Sequence, residues 1–194
     1  TRALPQLNMA ERYRARGVKL YLCAVDFEKA FDTVDRPLLW AALRRAGIDG
    51  TMLRAVQAMY ADVPVCVKSA EGLSACFQSR LGVKQGCPLS PLLFGIFLDD
   101  FEGHVQQAAG AAAALPQLAG HTVPPLLFAD DMFLIATSAA GLQAQLHALQ
   151  IYCDAKKLTV NIAKTQAMIL RPGGGSGNGR PAAGFTYAGH PLEV

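Results

Sequence analysis

The sequence predicts an α+β fold, an antiparallel sheet with helices packed on one face. Three observations predict it. VKLYLCAV (18–25), LLFADDMFLI (126–135) and TQAMIL (165–170) are apolar, partly β-branched runs of strand length. The middle run doubles back as a tight hairpin, so its own pairing is antiparallel. Between the runs stand segments with helix punctuation: a capping residue or proline before, a glycine after.

Residues 5–16, PQLNMAERYRAR, predict a mostly polar helix closed by Gly17. The strand at 18–25 follows and ends at Asp26. Asp35 is placed to cap a helix over 36–46, with Pro37 in its first turn and Gly47 beyond its end. Residues 50–60 predict a second helix, with Leu53, Val56, Met59 and Tyr60 on its inner face. VPVCVKS and LSACFQSRLG predict a strand pair about the turn Ala70–Gly72. Ser90 is expected to cap one long helix over 91–108, and AAGAAAA either extends it or forms a loop. The hairpin at 126–135 is apolar on both faces, so both are expected to be covered. Residues 139–156 predict an amphipathic helix, with Leu142, Leu146, Leu149, Tyr152 and Cys153 in its stripe. RPGGGSGNGRP, 171–181, predicts a flexible loop. It lacks the strand–glycine–helix setting of a phosphate-binding loop.

Composition narrows the classes. With 194 residues, 52% hydrophobic and 17% charged, the chain has enough apolar surface for a real core, which argues against disorder. A net charge of +3 permits a nucleic-acid partner without demanding one. The five cysteines, at 23, 66, 76, 87 and 153, spell no zinc ribbon or redox pair. They are expected to be free, buried thiols in a reducing, intracellular compartment, nuclear or cytoplasmic. No apolar run is long enough for a membrane span. The four histidines show no zinc spacing. The chain starts at Thr1 and ends in FTYAGHPLEV, a strand-like segment cut short, so it is read as a piece of a longer polypeptide.

The chemistry lies in acids set among apolar residues. Asp130 and Asp131 sit at the tip of the hairpin, and Asp26 ends the strand LYLCAV. If the two strands are neighbours, three carboxylates meet at one rim of the sheet. Like charges held so close repel unless a cation neutralises them. All-oxygen ligation suits Mg²⁺ or Mn²⁺. Two such ions ~3.5–4 Å apart clamp the attacking and leaving oxygens of an in-line phosphoryl displacement.

VDFEKAFDTVD (25–35), GVKQGCPLSPLLF (82–94), FADD (128–131), LTVNIAKTQAM (158–168) and FTYAGHPL (185–192) resemble, in order, motifs A to E of reverse transcriptases of non-long-terminal-repeat retrotransposons. The resemblance implies a right-hand polymerase palm whose fingers and thumb are missing from this chain. It implies RNA-directed DNA synthesis with an RNA template, a DNA primer, deoxynucleoside triphosphates and two Mg²⁺ or Mn²⁺ ions, and no membrane. By the same resemblance Asp26, Asp130 and Asp131 are metal ligands and catalytic residues, Asp131 acting more through its charge. Lys164 is placed near the leaving pyrophosphate, as a charge or proton donor. Phe27 offers a backbone amide to the triphosphate, while its side chain reads as core. Phe31 falls where the family places an aromatic ring under the sugar, leaving no room for a 2′-hydroxyl. Gln85 and Gly86 fit a turn that lets the backbone approach nucleotide and template. Tyr187, Ala188 and Gly189 match the primer-grip hairpin, although Ala188 is smaller than the residue the family usually has there.

Two other readings stay open. One is a decayed or domesticated palm that only scaffolds nucleic acid or protein; the intact acids weigh against it. The other is an RNA-dependent RNA polymerase palm; Phe31 weighs against it, because a ribonucleotide needs room for its 2′-hydroxyl. A cyclase palm lacks the expected glycine-rich turn beside the acids. The chain alone is expected to polymerise poorly, with apolar faces exposed near Phe185 and Tyr187.

Overall fold

A computed structural model describes residues 11–70, 72–172 and 184–194. Residues 11–15 are helical and run to Gly17, as the closing glycine predicts; most of the helix expected at 5–16, and most of the 171–181 loop, lie outside the described residues. Strand β1 (Leu20–Val25) leads to helices α1 (Arg36–Arg45) and α2 (Gly50–Ala58). Two-residue strands follow as β2 (Pro64–Val65), β3 (Lys68–Ser69), β4 (Gly72–Leu73) and β5 (Phe77–Gln78). Then come α3 (Ser90–Leu98), α4 (Phe101–Ala108), the short pair β6 (Gln117–Leu118) and β7 (His121–Thr122), and the hairpin β8 (Leu126–Phe128) and β9 (Asp131–Ala136). Helix α5 (Ala139–Lys156), strand β10 (Gln166–Leu170) and the pair β11 (Thr186–Tyr187) and β12 (His190–Pro191) complete the order.

The main sheet has the order β10-β1-β9-β8, and every neighbouring pair in it is antiparallel. Alternation of side chains divides it into two faces. Cys23, Val25, Met132, Leu134, Ala136 and Ala167 point into the main core with α3, α4 and α5. Leu20 and Ile135 belong to a small second cluster on the other face, with Tyr13. That face is only partly covered: Phe133 and Leu22 are half-buried, and Met168 is 58% exposed. The expectation of cover on both faces therefore fails. Helices occupy one side, and the opposite side keeps apolar residues next to solvent.

The Asp35 cap is as expected; its carboxylate accepts from the Leu38 N–H at 3.1 Å. Two helix expectations need correction. Met59 is 41% exposed, because α2 ends at Ala58 and the chain turns away there. Ser90 is not a cap but the first residue of α3, and its hydroxyl donates to the Lys84 carbonyl at 2.6 Å.

The long helix over 91–108 is broken at Asp99–Asp100 into α3 and α4. The break is filled from α5. Lys156 Nζ donates to the Phe97 carbonyl at 2.9 Å and contacts the Asp100 carboxylate at 2.9 Å, and Arg45 reaches the same carboxylate at 2.6 Å. Burial alone would raise the Asp100 carboxyl; the Tyr152 hydroxyl, Lys156 and Arg45 outweigh it and hold its pKa below the usual range. Burial also pulls the Lys156 ammonium below its ordinary value, because desolvation disfavours its charge. Asp100→Ala would strand that ammonium, whose side chain is only 10% exposed. Discounted for the 40% exposure of Asp100, the expected loss is about 2 kcal/mol at pH 7, read from denaturant unfolding. A carboxyl depressed on folding contributes fully above its unfolded pKa, about 3.9, and less as pH falls through its folded value. The two proteins should therefore converge in stability in acid; a constant gap there would overturn the assignment.

The cysteine expectation also needs correction. Cys66 and Cys76 form a disulfide, with Cα atoms 4.4 Å apart. The register explains it: Val65 opposes Phe77, so the next residues inward face each other across the hairpin. Cys23, Cys87 and Cys153 are free, and burial pushes the thiols of Cys23 and Cys153 up to about 12, where they are inert at neutral pH.

Candidate active site

Asp26 follows the last residue of β1, and two backbone contacts hold it there. Its N–H donates to Thr165 Oγ1 at 3.2 Å, and its carbonyl accepts from the Asn161 N–H at 2.8 Å. Thr165 is fully buried. It opens the run TQAMIL, and its role as the anchor of Asp26 carries no local signal in the sequence.

The β8–β9 hairpin pairs Phe128 with Asp131, so its loop is Ala129 and Asp130 alone. A two-residue hairpin loop needs a positive φ at its first central position, and Ala129 has φ 53°. A non-glycine residue held in the left-handed region is strained, and such strain gathers at functional sites.

Register then sets the acids. Val25 opposes Met132, so Asp26, one step on, comes level with Asp131. By alternation both project on the sheet face that the helices leave open. They line a cleft of about 180 Å³ with Ala24, Phe133 and Lys164. Lys164 Nζ lies 3.9 Å from Asp26 Oδ2, and the two side chains are 70% and 43% exposed. Asp130 adjoins in the turn, exposed and outside the cleft lining. Among the described residues no three histidine, cysteine or acidic side chains are grouped as a metal-holding set. The donors at the rim are nonetheless all carboxylate oxygens beside open space, which suits a hard divalent cation.

Phe27 is buried edge-on against Phe94 at 6.4 Å, so its side chain is core. Its backbone forms a lone bridge to Val160, made by Glu28 N–H to Thr159 O and Asn161 N–H to Asp26 O, so this bridge does not use the Phe27 amide. Phe31 is half-buried, its ring 5.2 Å from Phe94. Gln85 is exposed and donates through Nε2 to both Asp32 oxygens, at 2.8 and 2.9 Å. Gly86 adopts φ 77°, a left-handed conformation that glycine takes at no steric cost.

The motif E hairpin turns on Ala188 (φ 50°) and Gly189 (φ 80°). The Tyr187 side chain points inward, 7% exposed, and burial raises its hydroxyl pKa. Phe185 is 2% exposed. The apolar faces expected here are therefore covered: Phe185 and Tyr187 join the main core that α5 helps to build, while Thr186 and the Ala188–Gly189 tip stay exposed.

An antiparallel sheet with helices on one face and paired acids on the other is a palm-like α+β fold. The chain belongs to the reverse transcriptase (RNA-dependent DNA polymerase) family, which it matches over residues 2–192. It is 28% identical over 194 residues to the Pol polyprotein of the type-1 retrotransposable element R2 of Popillia japonica, covering 98% of this chain and 32% of that protein. The R2 Pol polyprotein of Nasonia vitripennis is 28% identical over 90% of this chain, which spans 16% of its length. The chain thus spans a third or less of these curated relatives. Among solved structures, telomerase of Candida albicans in complex with a fragment of telomeric RNA matches 99% of this chain and 32% of its own, with a TM-score of 0.62 at 17% identity. Apo telomerase of Candida tropicalis matches 96% of this chain and 37% of its own, with a TM-score of 0.63 at 17% identity, and both share the fold. Among the described residues no helix is long and apolar enough to cross a membrane.

Proposed function

We propose that this chain is the catalytic palm of an RNA-directed DNA polymerase that acts by nucleotidyl transfer in retrotransposon reverse transcription. The observation that carries this reading is the placing of Asp26 level with Asp131 on the open face of the sheet, with Asp130 in the adjoining turn and Lys164 beside them. The R2 relatives support the retrotransposon setting, and the RNA-bound telomerase neighbour supports an RNA template.

Asp26, Asp130 and Asp131 would hold two Mg²⁺ or Mn²⁺ ions, which when bound neutralise charge on the attacking and leaving oxygens. The chain's own residues do the rest. Lys164 holds an ammonium at the rim, where it can neutralise or protonate the leaving pyrophosphate. Phe27 offers its amide to the triphosphate of a deoxynucleotide, and Phe31 closes the space beneath its sugar. Gln85 and Gly86 meet the base pair being formed. The Ala188–Gly189 tip, set by the buried Tyr187, touches the DNA primer backbone. The apolar open face, with Phe133 and Met168, lies under the primer–template duplex.

Phosphoryl transfer rests on positioning and electrostatics, so the test needs a polypeptide carrying this chain together with fingers and thumb. On a primed RNA template it should extend the primer with deoxynucleotides and a divalent cation, and chelation should stop it. Extension by ribonucleotides instead would favour an RNA polymerase; nucleic-acid binding without extension would favour a scaffold.

A further inference from the structure

The nucleotide-facing surface proposed above is made of two segments far apart in sequence, residues 31–34 and 82–86, and one buried cation joins them. Arg36 is 8% exposed at the first position of α1. Its Nε donates to the Gly82 carbonyl at 3.0 Å, Nη1 to Ser79 at 2.8 Å and Tyr60 at 3.1 Å, and Nη2 to Leu81 at 3.0 Å. The guanidinium also lies 5.1 Å from the Tyr60 ring centroid. These partners are carbonyls and a ring face, so the cation is spent on holding backbone rather than on an acid.

The segment it holds is pressed against motif A. The Gly82 N–H donates to Val34 O at 2.9 Å, and the Val83 N–H to Phe31 O at 2.7 Å. A Cβ at Gly82 would stand 2.7 Å from Asp32 O and 2.8 Å from Phe31 O. Three residues on, Gln85 grips the Asp32 carboxylate.

We propose that Arg36 is a positioning residue that clamps 79–83 onto 31–34 and thereby fixes Phe31 and Gln85 for nucleotide selection. The inference rests on the polymerase reading. A rigid planar fork with five donors can span four carbonyls; a lysine ammonium has three donors at one point and cannot. Arg36→Lys therefore keeps the charge and loses the span.

The test uses the same polymerase-competent polypeptide throughout. In hydrogen exchange, Arg36→Lys should speed the Gly82 and Val83 amides by roughly 10-fold or more, while β1 and β9 amides stay unchanged. In extension assays it should raise the deoxynucleotide KM about 10-fold, with kcat within ~3-fold, and weaken discrimination against ribonucleotides. Gly82→Ala, which leaves Arg36 intact but forces the segments apart, should reproduce the KM shift and serves if Arg36→Lys does not fold. Unchanged exchange, or an unchanged KM in Gly82→Ala, overturns the clamp. Faster exchange with unaltered KM and sugar choice overturns its role in selection. Absence of extension by the unmutated polypeptide overturns the polymerase reading and the selection role with it, while the exchange data still report on the clamp, so the two failures are told apart.

Discussion

Asp26→Asn or Asp130→Asn should lower the rate of primer extension by at least ~10³-fold, the scale of losing a strong electrostatic stabiliser of the transition state. Asparagine keeps the volume and one oxygen, so the change removes charge and little else. The fold should not suffer. Asp26 is 43% exposed, and its backbone is held by Thr165 and Asn161, not by its carboxylate. Level like charges on adjacent strands cost a few tenths to about 1 kcal/mol, so Asp26→Asn should unfold at the same or slightly higher denaturant concentration than the unmutated protein. Activity that collapses while stability holds is the mark of a group kept for chemistry. Near-normal extension by either variant would remove the carboxylates from the mechanism. A parallel collapse of stability would make them structural.

The sheet was legible because strand alternation and tight turns are local properties. The apolar runs around Asp26 and Asp130–Asp131 predicted strands, but that the two strands are neighbours was only a condition; the observed register meets it and brings Asp26 level with Asp131. What escaped prediction depends on residues distant in sequence. SPLLFGIFLDDFEGHV reads as unbroken helix, and the partners that fill the break at Asp99–Asp100, Lys156 and Tyr152 on α5 and Arg45 on α1, are distant in sequence. The Cys66–Cys76 pair needs the hairpin register before it can be seen. Tyr187 looked presentable because a short two-stranded tip gives no hint of which side meets α5. Nothing in the sequence singles out Arg36, since its four carbonyl partners lie 24 to 46 positions downstream. Polar contacts to backbone leave no trace in side-chain pattern, and those contacts account for Arg36 and Thr165 alike.

Phe31→Val should raise the use of ribonucleotides relative to deoxynucleotides on the order of 10²-fold, measured as the ratio of kcat/KM values. The ring has the rigidity that a steric filter needs. Its inner side packs on Phe94 at 5.2 Å with a 40° tilt, and Phe94 is itself fully buried between Phe27 and Phe97. Its carbonyl is pinned by the Val83 N–H at 2.7 Å, so the backbone cannot retreat to admit a larger sugar. Valine keeps only Cβ and two methyl groups near the core and removes the whole ring, opening space where a 2′-hydroxyl would lie. The variant should also lose about 1–2 kcal/mol of stability, less than a fully buried Phe→Ala, because the ring is only half-buried. The two effects separate the roles of the residue. A stability loss with unchanged sugar choice would mean that the ring serves the Phe94 cluster alone. A change in sugar choice with deoxynucleotide kcat/KM preserved would mean that the ring acts as the sugar filter and not only as packing for Phe94.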